Sequence, residues 1–187
     1  MTARSATVWI ALFAILAVAG LRLMADPQHS GYGMHGAVHN GGGMHGIDPG
    51  DSASARVIRV VDGDTAKVLL AGRKETVRYI GVDTPESVKP NTPVQCFAKA
   101  ASHFNENLVE GKKVTLTFDN ELRDRYGRLL AYITFNGRSV NAELIHGGYA
   151  RTLEIAPNTT RANYFRKLED DAQSAGRGLW GACQGER

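Results

Sequence analysis

Asp62-Gly63-Asp64-Thr65 and Val82-Asp83-Thr84-Pro85-Glu86 flank a stretch that carries Arg78, so three carboxylates (Asp64, Asp83 and Glu86) and a guanidinium fall within one hairpin's worth of chain. Asp64 and Asp83 are hard oxygen ligands that suit Ca²⁺ or Mg²⁺, and no soft ligand stands nearby to favour zinc or copper. Glu86 lies too far out to be an obligatory ligand and is placed to orient a water or accept its proton. Arg78, and Arg128 further on, present the planar fork that grips phosphate oxygens through two donors, which lysine cannot copy. Asp62 reads chiefly as a turn-former, since an aspartate opening a turn bonds its own backbone.

These groups meet only if their flanks fold as strands. Val57-Ile58-Arg59-Val60-Val61 and Ala66-Lys67-Val68-Leu69-Leu70 are β-branched, apolar runs split by the Asp-Gly turn, and Glu75 to Ile80 alternates polar with apolar after Ala71-Gly72-Arg73. The pattern predicts a three-stranded meander in which Thr76, Arg78 and Ile80 share a face, with Arg78 on the side where Asp64 closes its turn. Gly81 breaks the third strand, and Pro85 keeps the residue before it extended. Lys112–Phe118 and Gly127–Phe135 read as a fourth and a fifth strand. Helices are expected over Cys96–Val109, with an apolar stripe of Phe97, Ala100, Ala101, Phe104 and Leu108 and closed by Gly111, over Val140–His146 after the Asn136-Gly137 turn, and over about Arg161–Ala175 before Gly176. Five strands with about three helices give an α+β chain matching the five-stranded Greek-key OB-fold barrel. Tyr164, Phe165 and Leu168 are expected to pack beneath it, with Trp180 closing its base.

Four motifs in order carry a resemblance: Asp62-Gly63-Asp64-Thr65 with Arg78, Asp83-Thr84-Pro85-Glu86, Asp124-Arg125-Tyr126-Gly127-Arg128 before Leu130-Ala131-Tyr132-Ile133, and Val140-Asn141-Ala142-Glu143-Leu144-Ile145. One Asp-Gly-Asp turn is ordinary, but the ordered set, over roughly Arg56 to Ala182, resembles the staphylococcal nuclease (thermonuclease) family. The resemblance implies the same barrel, a Ca²⁺ cofactor held by Asp64, Asp83 and the Thr84 carbonyl, and hydrolysis of DNA and RNA with little sequence specificity. It implies Arg78, Glu86 and Arg128 as the catalytic groups. It also implies contact of Arg125 and Tyr126 with a terminal phosphate. The family's tyrosines before a Pro-Asn pair are missing, because that segment reads Leu153-Glu154-Ile155-Ala156-Pro157-Asn158.

The remaining chain supplies context. Its 187 residues, 43% of them hydrophobic, fit one domain of ordinary size with an appendage. A net charge of +3 permits a nucleic-acid partner without establishing one. Residues 1–24 contain an apolar run from Val8 to Leu21 behind Arg4 and read as a signal peptide or a membrane anchor. The expected location is therefore extracytoplasmic, secreted or tethered through residues 8–24, and the expected state is a monomer. Residues 25–55 form a Gly/His/Met-rich tether in which Gly33-Met34-His35-Gly36 recurs as Gly43-Met44-His45-Gly46. A solvated linker accounts for it, and soft-metal binding is the competing reading. The domain itself is expected over 56–183. Ser87–Val94, rich in turn-formers, should form a surface loop bordering the site. Cys96 and Cys183 form an even pair in a chain read as exported and are a disulfide candidate, with two unpaired thiols as the alternative. Against the nuclease stands a non-catalytic nucleic-acid-binding barrel, yet such a module would lose the carboxylates or arginines that are all present here.

Overall fold

A computed structural model describes residues 46–87, 93–183 and 185. The N-terminal apolar run, the Gly/His/Met repeat as far as His45 and residues 88–92 of the loop expected after Glu86 lie outside them. The elements run β1 (Ser52–Asp62), β2 (Thr65–Leu70), β3 (Arg73–Tyr79), β4 (Gly81–Asp83), α1 (Ala98–Val109), β5 (Lys113–Thr117), β6 (Leu129–Phe135), β7 (Arg138–Ser139), α2 (Val140–His146), β8 (Arg151–Leu153), α3 (Ala162–Ser174) and α4 (Leu179–Ala182). Among the described residues no helix is long and apolar enough to cross a membrane.

β1, β2 and β3 form the expected antiparallel meander, and β1 also pairs with β5, which pairs with β6. A parallel pairing of β3 with β6, Val77 with Leu129 through Tyr79 with Ala131, closes these five strands into a barrel. This is the OB-fold read from the sequence, and closure leaves the five strands few unpaired edges. Alternation sends Ala55, Val57, Val60, Val68, Val77, Leu116 and Ile133 inward, where they form one continuous core with Leu144, Ile145 and Phe165. β1 begins at Ser52, four residues ahead of the expected start of the domain, because its first residues pair with the end of β5, and Ile47 packs against the core. A short separate ladder of β4 with β8 is not among the expected strands.

The helices sit where expected, but which side chains they bury differs. In α1 the buried positions are Ala98, Ala101, Asn105 and Val109, with Phe104 and Leu108 only partly covered. Asn105 is buried because the Tyr79 hydroxyl donates to its Oδ1 (3.2 Å) and its Nδ2 donates to the Asp62 carbonyl (3.2 Å). Phe165 and Leu168 pack against the barrel as expected, whereas Tyr164 is 52% exposed, one residue round the helix from Phe165. Leu179, and not Trp180, is the buried residue of α4. Trp180 is half-buried beneath the Arg151 guanidinium, 4.4 Å from its ring centroid.

Two long-range ties fix the C-terminal third. Cys96 and Cys183 are joined in a disulfide across 87 residues, so the start of α1 is bonded to the end of α4. Asp119, 8% exposed, accepts from the Tyr132 hydroxyl (2.9 Å), the Thr160 hydroxyl (2.8 Å) and the amides of Thr160 and Asn120. Burial works against its charge, but the donors from Thr160, Tyr132 and the amides outweigh that and hold its carboxyl below the usual range.

Each tie has a measurable signature. Asp119→Ala should destabilise the domain by about 2–4 kcal/mol at pH 7, since the donors it leaves stay buried. A carboxyl depressed in the folded state contributes stability above its unfolded pKa and loses it as pH falls through the folded value, so the gap between parent and variant in urea unfolding should narrow in acid. A gap independent of pH would show that Asp119 acts by packing alone. Reducing the Cys96–Cys183 bridge should lower the thermal midpoint, with about 4–5 kcal/mol at stake in the chain-entropy model, and an unchanged midpoint after full reduction would show the bridge to be idle.

Candidate active site

The β1–β2 turn is built around one carboxylate. Asp62 Oδ1 accepts from the Asp64 amide (3.2 Å), the turn-forming bond expected of it. Asp64 is buried, and its Oδ1 accepts from the Thr65 hydroxyl (3.0 Å). Its Oδ2 accepts from the Thr84 amide (2.9 Å) and hydroxyl (3.0 Å), and Arg78 Nη2 lies 3.2 Å away. Thr84 comes so close that a Cβ on Gly63 would stand 2.6 Å from its Cγ2, so only glycine allows the two segments to meet.

Arg78 bridges the two segments. Its Nη2 is also 3.4 Å from Asp83 Oδ1, while its Nη1 donates to the Val82 and Tyr79 carbonyls. The carboxylates crowd one another. Asp62 is raised to about 6, by burial first and then by the charge of Asp64. Asp83 is raised by burial, which with the charges of Asp64 and Glu86 outweighs the pull of Arg78 and Arg151. A set of oxygen donors short of positive charge suits a hard cation. Among the described residues no three His, Cys, Asp or Glu side chains form a metal cage, so a cation here would rest on two aspartates completed by backbone oxygen and water. That open, all-oxygen set fits Ca²⁺, which takes six to eight such ligands in flexible geometry. Thr84 meets Asp64 through its amide and hydroxyl, so its carbonyl is the oxygen left for that purpose.

The opposite wall comes from the loop between β5 and β6. Asp124 accepts from the amides of Tyr126 (2.9 Å) and Arg128 (3.0 Å) and from Arg128 Nε (2.7 Å), a tight turn made with Gly127 at φ +78°. Burial opposes the charge of Asp124, yet its bonds to Arg128 and the amides prevail and hold its carboxyl below the usual range. Arg125 Nη2 donates to the Tyr126 hydroxyl (2.7 Å), and the Tyr126 ring is 68% exposed with the Arg125 and Arg128 guanidiniums 4.8 and 5.5 Å from its centroid. Arg78, Arg125, Tyr126 and Arg128 thus line one cleft of about 480 Å³, whose remaining wall includes Leu153 and Ile155.

The structure therefore gathers Asp64, Arg78, Asp83 and Thr84 at one point, and of these Arg78 lines the cleft together with Arg125, Tyr126 and Arg128, whereas Asp64, Asp83, Thr84 and Glu86 are not part of its lining. Glu86 stands near Asp83, close enough for its charge to act there, and its backbone is clamped to Gln95 from both sides: the Glu86 amide donates to Oε1 (2.7 Å) and the Gln95 amide to the Glu86 carbonyl (3.0 Å). Cys96 and Cys183 lie outside the cleft lining. Sequence reasoning gives no role to Asp124, which anchors Arg128, or to Asn105, which holds the Asp62 carbonyl. Asp124 stands out only as an acid four residues before an arginine in a turn, whereas Asn105 is masked by the apolar stripe around it.

Comparison with known proteins agrees with this geometry. A family model described as Staphylococcal nuclease homologue matches residues 76–182. The chain is 46% identical over 124 residues to Endonuclease YncB of Bacillus subtilis (strain 168), an alignment covering 65% of this chain and 59% of that protein. It is 39% identical over 135 residues to the Thermonuclease of Staphylococcus hyicus, covering 72% of this chain and 80% of the relative. The Thermonuclease of Staphylococcus intermedius is 42% identical over 124 residues, covering 66% and 74%. Barrel, motif order and relatives converge, and the chain belongs to the staphylococcal nuclease family.

Proposed function

We propose that this protein is a Ca²⁺-dependent endonuclease of the thermonuclease type that hydrolyses phosphodiester bonds of DNA and RNA with little sequence specificity. The observation that carries the reading is Arg78, fixed between Asp64 and Asp83 and lining the same cleft as Arg128. Asp64 and Asp83, with the Thr84 carbonyl, would hold the Ca²⁺, which when bound supplies positive charge to the non-bridging phosphate oxygens. Arg78 and Arg128 grip those oxygens and stabilise the extra negative charge of the pentacoordinate phosphorus. Glu86 orients the attacking water and takes its proton. Asp124 keeps Arg128 aimed by occupying its Nε. Arg125 and Tyr126 meet a terminal phosphate.

The cleft lining departs from the family pattern. Leu153 and Ile155 stand before Pro157-Asn158, where the family pattern has tyrosines. Stacking on an aromatic ring is worth about 1–3 kcal/mol per base, so an aliphatic wall here makes substrate affinity or base preference differ from that of relatives that carry the tyrosines. Export is part of the proposal, secreted or anchored through residues 8–24, with the Cys96–Cys183 bridge in keeping with an oxidising compartment. The domain reading of 1–24 as leader or anchor and 25–55 as tether belongs to it as well.

Digestion of plasmid and RNA with Ca²⁺, Mg²⁺ or chelator tests the activity, and full cleavage in chelator would refute the cation's part. Rate against Ca²⁺ concentration separates the roles. Asp64→Ala should be partly rescued by raised Ca²⁺, whereas Glu86→Ala and Arg128→Ala should lose turnover that Ca²⁺ does not restore, Arg128→Ala by about 3 kcal/mol or more. Equal rescue of Glu86→Ala would make Glu86 a metal ligand.

A further inference from the structure

The outer face of β1, β2 and β3 carries a charge pattern that the cleft does not use. A bulge in β1 between Val57 and Arg59 turns both Ile58 and Arg59 outward. Arg59 then pairs with Lys67, Arg56 with Leu69, Leu69 with Lys74, and Arg56 on its other side with Lys113 of β5. Directly paired residues share a face, so Arg56, Arg59, Lys67, Lys74 and Lys113 stand together, and all five are exposed. None of them makes an ion pair among the described residues. Beyond Asp62 at the turn, the only carboxylate in these four strands is Glu75, which points to the other side of β3 and pairs with Arg123. A net charge of only +3 makes this segregation a local feature and not a reflection of overall basicity. On α3, by contrast, Arg166 and Lys167 are interleaved with Glu169, Asp170 and Asp171.

The face is continuous with the active site. In β3, Lys74, Thr76 and Arg78 alternate onto the same side, with Lys67 opposite Thr76 and Thr65 opposite Arg78. Along β3 the cations Arg78 and Lys74 stand four residues, roughly 13 Å, apart, and Lys67, opposite the intervening Thr76, and Arg59, opposite Lys67, stand beside that interval on the neighbouring strands. Leu69, 39% exposed, lies among them and offers an apolar contact to a base or sugar.

We propose that this face is a backbone track for the polynucleotide: Arg59, Lys67 and Lys74 hold the phosphates flanking the scissile bond, so that affinity for a long strand is set outside the cleft that cleaves it. The proposal rests on the nuclease reading and deepens it. The occupant is a single-stranded polynucleotide and not an anionic membrane, because the cationic face continues along β3 to Arg78, which lines the cleft that also holds Arg125 and Arg128.

The test compares the full chain with an Arg59→Gln/Lys67→Gln/Lys74→Gln variant on long single-stranded DNA and on a thymidine dinucleotide, with Ca²⁺ and stepped KCl. For the long strand KM should rise about tenfold, and the slope of log affinity against log salt should become shallower by about 2, at about 0.7 for each phosphate no longer neutralised. The dinucleotide kinetics should not move, and an Arg59→Lys/Lys67→Arg/Lys74→Arg variant should keep parental KM. Equal losses on both substrates, or none on either, overturn the track. If the parent cleaves neither substrate the nuclease reading fails, and binding of the same long strand in chelator still decides the track: a tenfold weaker variant supports it and equal affinity overturns it. Loss of retention on phosphatidylserine vesicles, with polynucleotide binding unmoved, assigns the face to membrane and also overturns it.

Discussion

The site depends on one carboxylate oxygen. Asp64 Oδ2 receives the Thr84 amide and hydroxyl and faces Arg78, so it is the point at which the β1–β2 turn, the end of β3 and the run after β4 are held together. Such charge-assisted bonds in a buried setting are strong and directional. Everything around it follows from that contact. Gly63 must lack a side chain for Thr84 to arrive, Asp62 must close the turn, and Arg78 must reach across to Asp83. Asn105 of α1 supports the turn from behind through the Asp62 carbonyl.

Barrel closure brings the second wall to this point. The parallel β3–β6 pairing sets Arg78 beside Leu130, two residues past Arg128. Asn141, fully buried at the start of α2, secures the seam: its Oδ1 accepts from the Ile133 amide and its Nδ2 donates to the Ile80 carbonyl, both at 2.8 Å. One side chain thus satisfies two backbone groups that the ladder leaves over where the barrel changes partner. The fourth sequence motif therefore contributes to the site indirectly, by holding the strand on which Arg78 sits against the strand that follows Arg128.

The clustered charges oppose folding while preparing the chemistry. Burial and mutual repulsion raise Asp62 and Asp83, which is the signature of a carboxylate group assembled without enough positive charge of its own. Arg78 supplies part of what is missing, and the rest is what a hard cation and a phosphate-gripping cleft would exchange. Stability is recovered away from the site, in the Asp119 network, which ties the segment before α3 to β6, and in the Cys96–Cys183 bridge, which joins the start of α1 to the end of α4.

Much of this is legible in the residues themselves. The Asp-Gly turn, the alternation of β1 to β3, the Gly-closed helix and the ordered motifs are local patterns, and local patterns report which face of a strand or helix is apolar. Asp64, Arg78 and Asp83 are expected together on that basis, Thr84 joins them only through the family resemblance, and the chain does bring the four together. Local periodicity does not report which distant element arrives on a face. It therefore puts Phe104 and Leu108, only partly covered, in the α1 stripe and leaves out the buried Asn105, gives Tyr164 a packing role that only Phe165 and Leu168 hold, and chooses Trp180 over Leu179 at the base. The β4–β8 ladder and the β3–β6 seam likewise exist only once the barrel has closed, because each pairs segments whose separation along the chain carries no periodic signal.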